Sequence, residues 1–117
     1  MKNYDNFILP AADLDQGIAF YQNILGLPVK FHFPDLGMIA FRVGDQEPAI
    51  ILSSQPQTKP TIWFEVDDVK EEYQKLRAKG LRFLSEPFLI KTGWAVEFED
   101  PFGNKLGMTD YLNVERK

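Results

Sequence analysis

The sequence contains no cysteine and only one histidine. Without cysteine, the chain cannot form disulfides or use a thiolate as a nucleophile or metal ligand. No apolar run approaches the roughly 20 residues that a membrane-spanning helix needs, and the first residues lack the apolar stretch of a secretory signal peptide. These absences predict a cytoplasmic protein with no membrane partner.

Several common functional motifs are also missing. There is no glycine-rich phosphate loop, no Gly-x-Ser-x-Gly nucleophile elbow and no His-Glu-x-x-His metal motif. The 13 lysines and arginines are scattered among 17 acidic residues, which gives a net charge of −4. Because proteins that bind nucleic acid concentrate positive charge on one face, we expect no nucleic-acid partner.

The most informative stretch is a turn late in the chain, Asp100–Asn104 (Asp-Pro-Phe-Gly-Asn). Proline fixes its own φ, glycine accepts a positive φ, and the Asp and Asn side chains can bond the local backbone. The segments on either side of the turn, 94–98 and 105–109, are strand-like. Polarity differs between odd and even positions, as it does along a strand with one buried face. The turn therefore predicts the last hairpin of a sheet.

The first half of the chain predicts a βαβββ module. An amphipathic helix begins after the N-cap Asp13 and ends at Gly26. Its apolar residues recur at helical spacing and are Leu14, Ile18, Tyr21 and Leu25. The predicted strands are residues 5–11, 27–33, 38–43 and 49–53.

The same order of elements returns after a polar linker, residues 54–60. A strand at 61–66 precedes a helix that is capped by Asp68 and ends at Gly80. Asp13 and Asp68 are 55 residues apart, and Gly26 and Gly80 are 54 apart. With a strand at 82–85 and the final hairpin, this offset predicts an internal duplication.

We therefore predict an α+β fold in which two tandem βαβββ modules, about 5–53 and 61–110, form a curved eight-stranded mixed sheet around a cleft. Each module has one helix to cover one face of its strands, which leaves the other face to line the cleft. The whole chain, residues 1–117, is predicted to be one domain.

At this point the sequence resembles the vicinal oxygen chelate superfamily, which includes glyoxalase I, extradiol dioxygenases, and fosfomycin and bleomycin resistance proteins. The resemblance rests on Asp13–Leu27 (Asp-Leu…Phe-Tyr…Leu-Gly-Leu), Val66–Val69 (Val-Asp-Asp-Val) and Asp100–Asn104. It covers about residues 6–110 and is closest in character to the bleomycin-resistance-like members. It implies a glyoxalase/bleomycin-resistance-like domain that forms a homodimer.

Metal-dependent members of this superfamily hold a divalent ion with His, Gln or Glu side chains. The resemblance carries those ligand positions to Asn6, Thr61, Gly107 and the aliphatic stretch 50–52. An amide, a hydroxyl, a glycine and an aliphatic side chain do not make a good set of ligands for a catalytic divalent ion. We therefore expect no metal and no other cofactor.

Five residues are the candidate ligand-binding set. Trp63 and Trp94 would stack on an aromatic ligand, Glu65 would pair with a cationic group, and Asn6 and Thr61 would supply hydrogen bonds. Ordinary filling of a cavity by Trp63 and core packing by Trp94 are the structural alternatives. The predicted function is that of a metal-free small-molecule-binding protein that resembles bleomycin resistance proteins and sequesters an aromatic or cationic organic ligand.

The alternative is an enzyme of the glyoxalase, lyase or dioxygenase type. It would use a divalent metal, or Glu65 or His32 as a base. A third possibility is a cleft that is filled by the protein's own side chains. The sequence does not decide whether the protein is catalytic, and it assigns no catalytic residue.

Overall fold

The computed structural model describes residues 1–45 and 48–113. Within them, eight strands and two α-helices follow the order of two βαβββ modules. The strands are β1 Asn3–Pro10, β2 Val29–Phe33, β3 Met38–Arg42, β4 Ala49–Ser53, β5 Thr61–Glu65, β6 Phe88–Ile90, β7 Gly93–Glu99 and β8 Lys105–Thr109, and the helices are α1 Leu14–Ile18 and α2 Val69–Ala78. The predicted α+β class and the duplication are confirmed. None of the helices in these residues is long and apolar enough to cross a membrane.

The strands are hydrogen-bonded in the order β2-β3-β4-β1-β5-β8-β7-β6. β1 runs parallel to β4, with Asn6 opposite Ala49, whereas β2 with β3 and β3 with β4 are antiparallel. β7 is antiparallel to both β6 and β8. The sheet is therefore mixed, as predicted.

The chain divides into two compact units, and the boundary falls inside β1. One unit is residues 6–61, and the other combines residues 1–5 with the chain from Ile62 onwards. In the second unit the start of β1 is joined to β5, since the Lys2 backbone N–H donates to the Glu65 carbonyl at 2.8 Å. The cut at residues 61 and 62 lies beside the predicted linker 54–60, and the predicted module bounds stay a prediction.

The helix of the first unit is shorter than predicted. α1 starts at the N-cap Asp13, which accepts a bond from the Gln16 N–H, but a π-helix, Ala19–Ile24, replaces its second half. The wider turn ends the helical spacing, so Leu25 is 50% exposed rather than buried. Leu27 packs instead against the core that contains Ile39, Phe41 and Leu52.

The second unit has its core between α2 and its strands. Val69 and Tyr73 of α2 are buried and Leu76 packs beside them, as the helical spacing predicts. The strand residues of this core are Val66, Val96, Phe98 and Met108. One face of these strands is therefore closed by the helix.

The strand predicted at residues 82–85 is wrong. Phe83 forms only an isolated bridge to Phe98, and the strand that pairs with β7 is β6. Phe83 packs its ring against Tyr73 at 4.6 Å between centroids. The apolar residues of this segment pack into the core without forming a strand. Their sequence pattern is the same as that of a short strand, so the pattern alone does not separate the two.

Asp110 connects three parts of the second unit. Its side chain is 0% exposed. The Val69 N–H at the start of α2 donates to Oδ2 at 2.8 Å, and the Trp94 and Leu112 N–H groups donate to Oδ1 at 2.9 and 3.3 Å. A carboxylate at a helix N-terminus also meets the positive end of the helix dipole.

The turn between β7 and β8 is built as predicted. Asp100 Oδ1 accepts bonds from the Phe102 and Asn104 N–H groups, and Asn104 Nδ2 donates to Asp100 Oδ2 at 2.7 Å. These bonds, led by that of the Asn104 side chain, hold the pKa of Asp100 below its usual value. The ionised carboxylate is therefore the form that the folded turn favours.

We expect the stabilising effect of Asp100 to depend on pH. It is fully present above the unfolded-state pKa near 4 and is lost as the pH falls through the lower folded-state pKa. Urea unfolding between pH 7 and pH 2 should show wild type more stable than Asp100→Asn at neutral pH, with the difference shrinking in acid. A difference that stays constant with pH would contradict this account.

Candidate functional site

β5 places Thr61, Trp63 and Glu65 on one side of the strand, because side chains alternate along it. Trp63 lies against Gly107 of β8. A Cβ added at Gly107 would be 2.5 Å from Trp63 Cε3 and 2.6 Å from Cζ3. The indole therefore occupies the space into which any side chain at position 107 would project.

The indole N–H of Trp63 is a buried donor. Its Nε1 atom has no hydrogen-bond partner among residues 1–45 and 48–113. Leaving such a group unpaired costs about 1–3 kcal/mol, and native proteins leave few buried donors without a partner. A buried water, or a ligand acceptor that reaches Nε1, would satisfy this donor.

Glu65 already has a partner within its unit. Lys2 Nζ lies 3.6 Å from the Glu65 carboxylate and 3.1 Å from Asp67. The bond and charge of Asp67, with a further contribution from Glu65, raise the pKa of Lys2. Because Lys2 is half exposed, a ligand cation could take its place beside Glu65 at little cost.

Glu97 is an acid that the sequence prediction did not select. It is directly opposite Gly107 across β7 and β8, so its side chain lies on the same face as Trp63. Its carboxylate is 2.6 Å from Lys105 Nζ. In the sequence, the alternation of Glu97 with the core residues Val96 and Phe98 was the signal that Glu97 faces away from the core.

We call the surface formed by Trp63, Glu65, Glu97, Lys105 and Gly107 the Trp63 face.

Trp94 lies on the opposite side of the sheet. It packs against the core beneath α2, beside Val96 and Met108. Lys70 Nζ is 3.7 Å from the centroid of its ring. The structure therefore brings Trp63 and Glu65 together but does not bring Trp94 to their face, in line with the packing alternative for Trp94.

The two remaining predicted residues belong to the unit of residues 6–61. Asn6 is half-buried in β1, opposite Ala49. Thr61 is buried, and its hydroxyl donates to the Lys59 carbonyl at 2.9 Å. The Thr61 hydroxyl can therefore still accept a hydrogen bond but has committed its proton.

The residues at the superfamily's metal positions do not fit a divalent ion. Gly107 offers no ligand, and the Trp63 ring covers it. Thr61 is a neutral hydroxyl, and Ile51 and Leu52 are buried apolar residues. In the described part of the chain, no group of three or more His, Cys, Asp or Glu side chains is placed to hold a metal.

His32, the alternative base, is exposed on β2. It lies opposite Ile39, whose side chain is in the α1 core. His32 belongs to the unit of residues 6–61, whereas the residues of the Trp63 face belong to the other unit.

Comparison with solved structures supports the fold. Methylmalonyl-CoA epimerase of Streptomyces coelicolor, in complex with 2-nitronate-propionyl-CoA, has a TM-score of 0.75 at 17% identity, covering 100% of this chain and 99% of that one. The Mycobacterium tuberculosis epimerase gives 0.73 at 17% identity, with 92% and 87% covered. A glyoxalase/bleomycin resistance protein/dioxygenase superfamily member from Vibrio splendidus 12B01 gives 0.68 at 18%, with 89% and 94% covered. At these identities the likeness is one of fold alone.

One curated relative also matches by sequence. The uncharacterized protein YetH of Bacillus subtilis (strain 168) is 35% identical over 57 residues. That segment is 49% of this chain and 48% of YetH, so the match spans about half the length of the relative. The family model of the Glyoxalase/Bleomycin resistance protein/Dioxygenase superfamily matches residues 3–108, nearly the whole chain. The chain therefore belongs to the glyoxalase/bleomycin resistance protein/dioxygenase superfamily.

Proposed function

We propose that this protein binds a small organic ligand without a metal and sequesters it, as bleomycin resistance proteins do. The ligand lies on the Trp63 face and combines an aromatic ring, a hydrogen-bond acceptor and a cationic group. Asn6 and Thr61 remain predicted contributors of hydrogen bonds. Trp94 is not part of this proposed site.

The observation that carries the proposal is the arrangement of Trp63 over Gly107. The ring fills the place of a superfamily metal ligand, and its buried N–H has no partner in the described residues. A ligand acceptor at Nε1 would remove the cost of that unpaired donor. The same indole offers a flat surface on which an aromatic ring can stack.

Charge supports a cationic group on the ligand. Glu65 and Glu97 are the two carboxylates of the Trp63 face, and they are paired with Lys2 and Lys105. A ligand cation would replace a lysine ammonium beside the carboxylate, so this exchange alone adds little binding free energy. The gain in affinity comes from holding the cation beside the aromatic ring. We therefore expect ring stacking to contribute more affinity than charge pairing.

Ligand binding to Trp63 can be measured by fluorescence, since the chain has only two tryptophans. A panel of aromatic amines and their neutral analogues would be titrated into Trp94→Phe, where Trp63 is the only indole. We expect saturable quenching, and a loss of about tenfold or more in affinity in Trp63→Leu, measured by calorimetry. Equal affinity in Trp63→Leu and wild type, or no binding by any member, would overturn the proposal.

Metal content tests the metal-free part of the proposal separately. Protein purified without chelator would be analysed for metal and then melted with Ni²⁺, Zn²⁺, Mn²⁺, Fe²⁺ or Mg²⁺. We expect less than stoichiometric metal and no rise in melting temperature that EDTA reverses. Near-stoichiometric metal would instead favour a glyoxalase- or dioxygenase-type enzyme.

A metal-free enzyme is the second candidate, because epimerases have the same fold and the Trp63 face carries two carboxylates. Glu97 would have to release Lys105 before it could accept a proton from a carbon acid. Proton exchange into a bound thioester or ketone in D₂O, abolished in Glu97→Gln, would identify this activity. Its absence, with binding retained, supports sequestration.

The predicted homodimer is also a proposal. The apolar edge strand β6 supports it, since Phe88, Leu89 and Ile90 are 37%, 59% and 37% exposed. An exposed apolar edge is a surface that a second chain can cover. The cytoplasmic location and the absence of nucleic-acid and membrane partners stay predictions.

A further inference from the structure

A groove runs along α2 on the side of the sheet opposite to the Trp63 face. Its volume is about 430 Å³, within the range of small-molecule sites. Its lining includes Lys70, Tyr73, Gln74, Arg77, Glu86 and Trp94. An adjoining depression of about 490 Å³ shares Tyr73, Arg77 and Glu86 with it. We call this surface the α2 groove.

Three polar side chains of α2 follow one face of the helix into the groove. Lys70, Gln74 and Arg77 have the spacing i, i+4, i+7 and are all exposed. At 1.5 Å per residue they span about 10.5 Å along the helix. That span equals roughly the length of a two-ring aromatic acid.

The two cations of the groove are held by rings rather than by acids. Lys70 Nζ is 3.7 Å from the Trp94 centroid, and the Arg77 guanidinium is 5.7 Å from the Tyr73 centroid. Neither forms an ion pair with any residue that the structure describes. By contrast, Lys75 of the same helix is paired with Glu71 at 3.1 Å. Lys70 and Arg77 therefore keep their charge available to an external anion.

The local charge is the reverse of that of the whole protein. The groove contains two cations and one acid, Glu86, whereas the chain has a net charge of −4. A cleft with an excess of one sign of charge concentrates ligands of the other sign. The adjacent indole of Trp94 adds a flat apolar surface, so a plain inorganic anion would use only part of the site.

We propose that the α2 groove binds an aromatic carboxylate. The Arg77 guanidinium receives the carboxylate through two parallel N–H bonds, and the Gln74 amide donates a further bond to it. The ring system lies at the other end of the groove, beside Trp94 and the Lys70 ammonium. Because this site and the Trp63 face lie on opposite sides of the sheet, the proposal stands independently of the proposed function.

The test is a titration of the ¹⁵N-labelled full chain with 2-naphthoate, repeated with the neutral isostere 2-naphthamide and with inorganic phosphate. The Trp63→Phe variant removes the other indole, so the only indole N–H signal is that of Trp94. We expect saturable shifts at Lys70, Gln74, Arg77 and the Trp94 indole. 2-Naphthoate should bind at least about fivefold more tightly than either control ligand.

Single exposed substitutions give the matched comparison. We expect Arg77→Gln to weaken 2-naphthoate binding about tenfold, with Arg77→Lys restoring only part of it, since lysine lacks the bidentate fork. Glu86→Gln should tighten binding about twofold by removing the one opposing charge. Lys75→Gln, on the same helix but outside the groove, should leave affinity unchanged.

Several outcomes would overturn the proposal. These are equal binding of 2-naphthoate and 2-naphthamide, phosphate binding as tightly as 2-naphthoate, unchanged affinity in Arg77→Gln, or shifts that never saturate. Shifts confined to the neighbourhood of Gly107 would also overturn it and would point to the Trp63 face instead. Failure of the α2 groove therefore leaves the proposed function untouched, and the reverse also holds.

Discussion

Replacing Asp110 with alanine is expected to lower the free energy of unfolding by about 3–5 kcal/mol. The substitution leaves the buried N–H group of Val69 and the partly buried N–H groups of Trp94 and Leu112 without their acceptor. It also opens a cavity where a fully buried side chain stood. Urea unfolding at neutral pH, monitored by circular dichroism, measures the loss.

Two variants check that interpretation. Asp110→Asn keeps the shape of the side chain but removes its charge and replaces one acceptor oxygen with an NH₂ group. That group faces a backbone N–H that can no longer be accepted, so we expect a smaller loss of about 2 kcal/mol. Asp68→Ala removes the exposed N-cap of the same helix, which bonds the Glu71 N–H at 3.1 Å, and should cost about 1 kcal/mol. A loss below that of Asp68→Ala for Asp110→Ala would refute the central role of Asp110.

Gly107→Ala is expected to destabilise the protein by about 1–3 kcal/mol, as overpacking does. The new methyl group would lie 2.5–2.7 Å from three atoms of the Trp63 ring, so the ring must move. Thermal unfolding measures the stability loss, and the emission of Trp63 in the Trp94→Phe background reports the displacement. The ligand affinity of the Trp63 face should fall in parallel.

A double-mutant cycle separates the clash from other effects at this position. In a Trp63→Leu background the ring is absent, and Gly107→Ala should then cost less than about 1 kcal/mol. Equal costs in the two backgrounds would show that Trp63 does not restrict position 107. The Trp63 ring would then not be what keeps a metal-ligating side chain out of position 107.

The turns and repeats were predictable because their causes are local. The bonds of Asp100 with Asn104 depend on residue types four positions apart, and the caps Asp13 and Asp68 act within one helical turn. The apolar spacing of α2 depends only on helical geometry. These features fixed the order of elements and hence the fold class.

Some departures have tertiary causes. The packing of Phe83, which mimics a strand, is set by its ring contacts with Tyr73 and Phe98. The sequence pattern did not indicate the π-helix that exposes Leu25. The contact between Trp63 and Gly107 joins residues 44 positions apart along the chain. No periodicity in one sequence reports such a contact, although a glycine within a strand is a sign of close approach.

For the candidate ligand residues, only the side of the sheet that each one faces can be compared with the prediction. Parity along β5 correctly grouped Trp63 with Glu65. Parity along β7 grouped Trp94 with the core residues Val96 and Phe98, yet its size made it a candidate for ligand stacking as well. Alternation along one strand shows which of its residues share a side of the sheet. To decide which residues of two different strands share a side, the pairing register of those strands must be known.

The boundary between the compact units has a consequence for any division of the polypeptide. Strand β1 gives its first residues to the second unit and the rest to the first. A fragment beginning at the linker would therefore carry β5 without the N-terminal backbone that bonds Glu65, leaving an unprotected edge prone to self-association. The second unit is therefore expected to need residues 1–5 as well as the chain from Ile62 onwards.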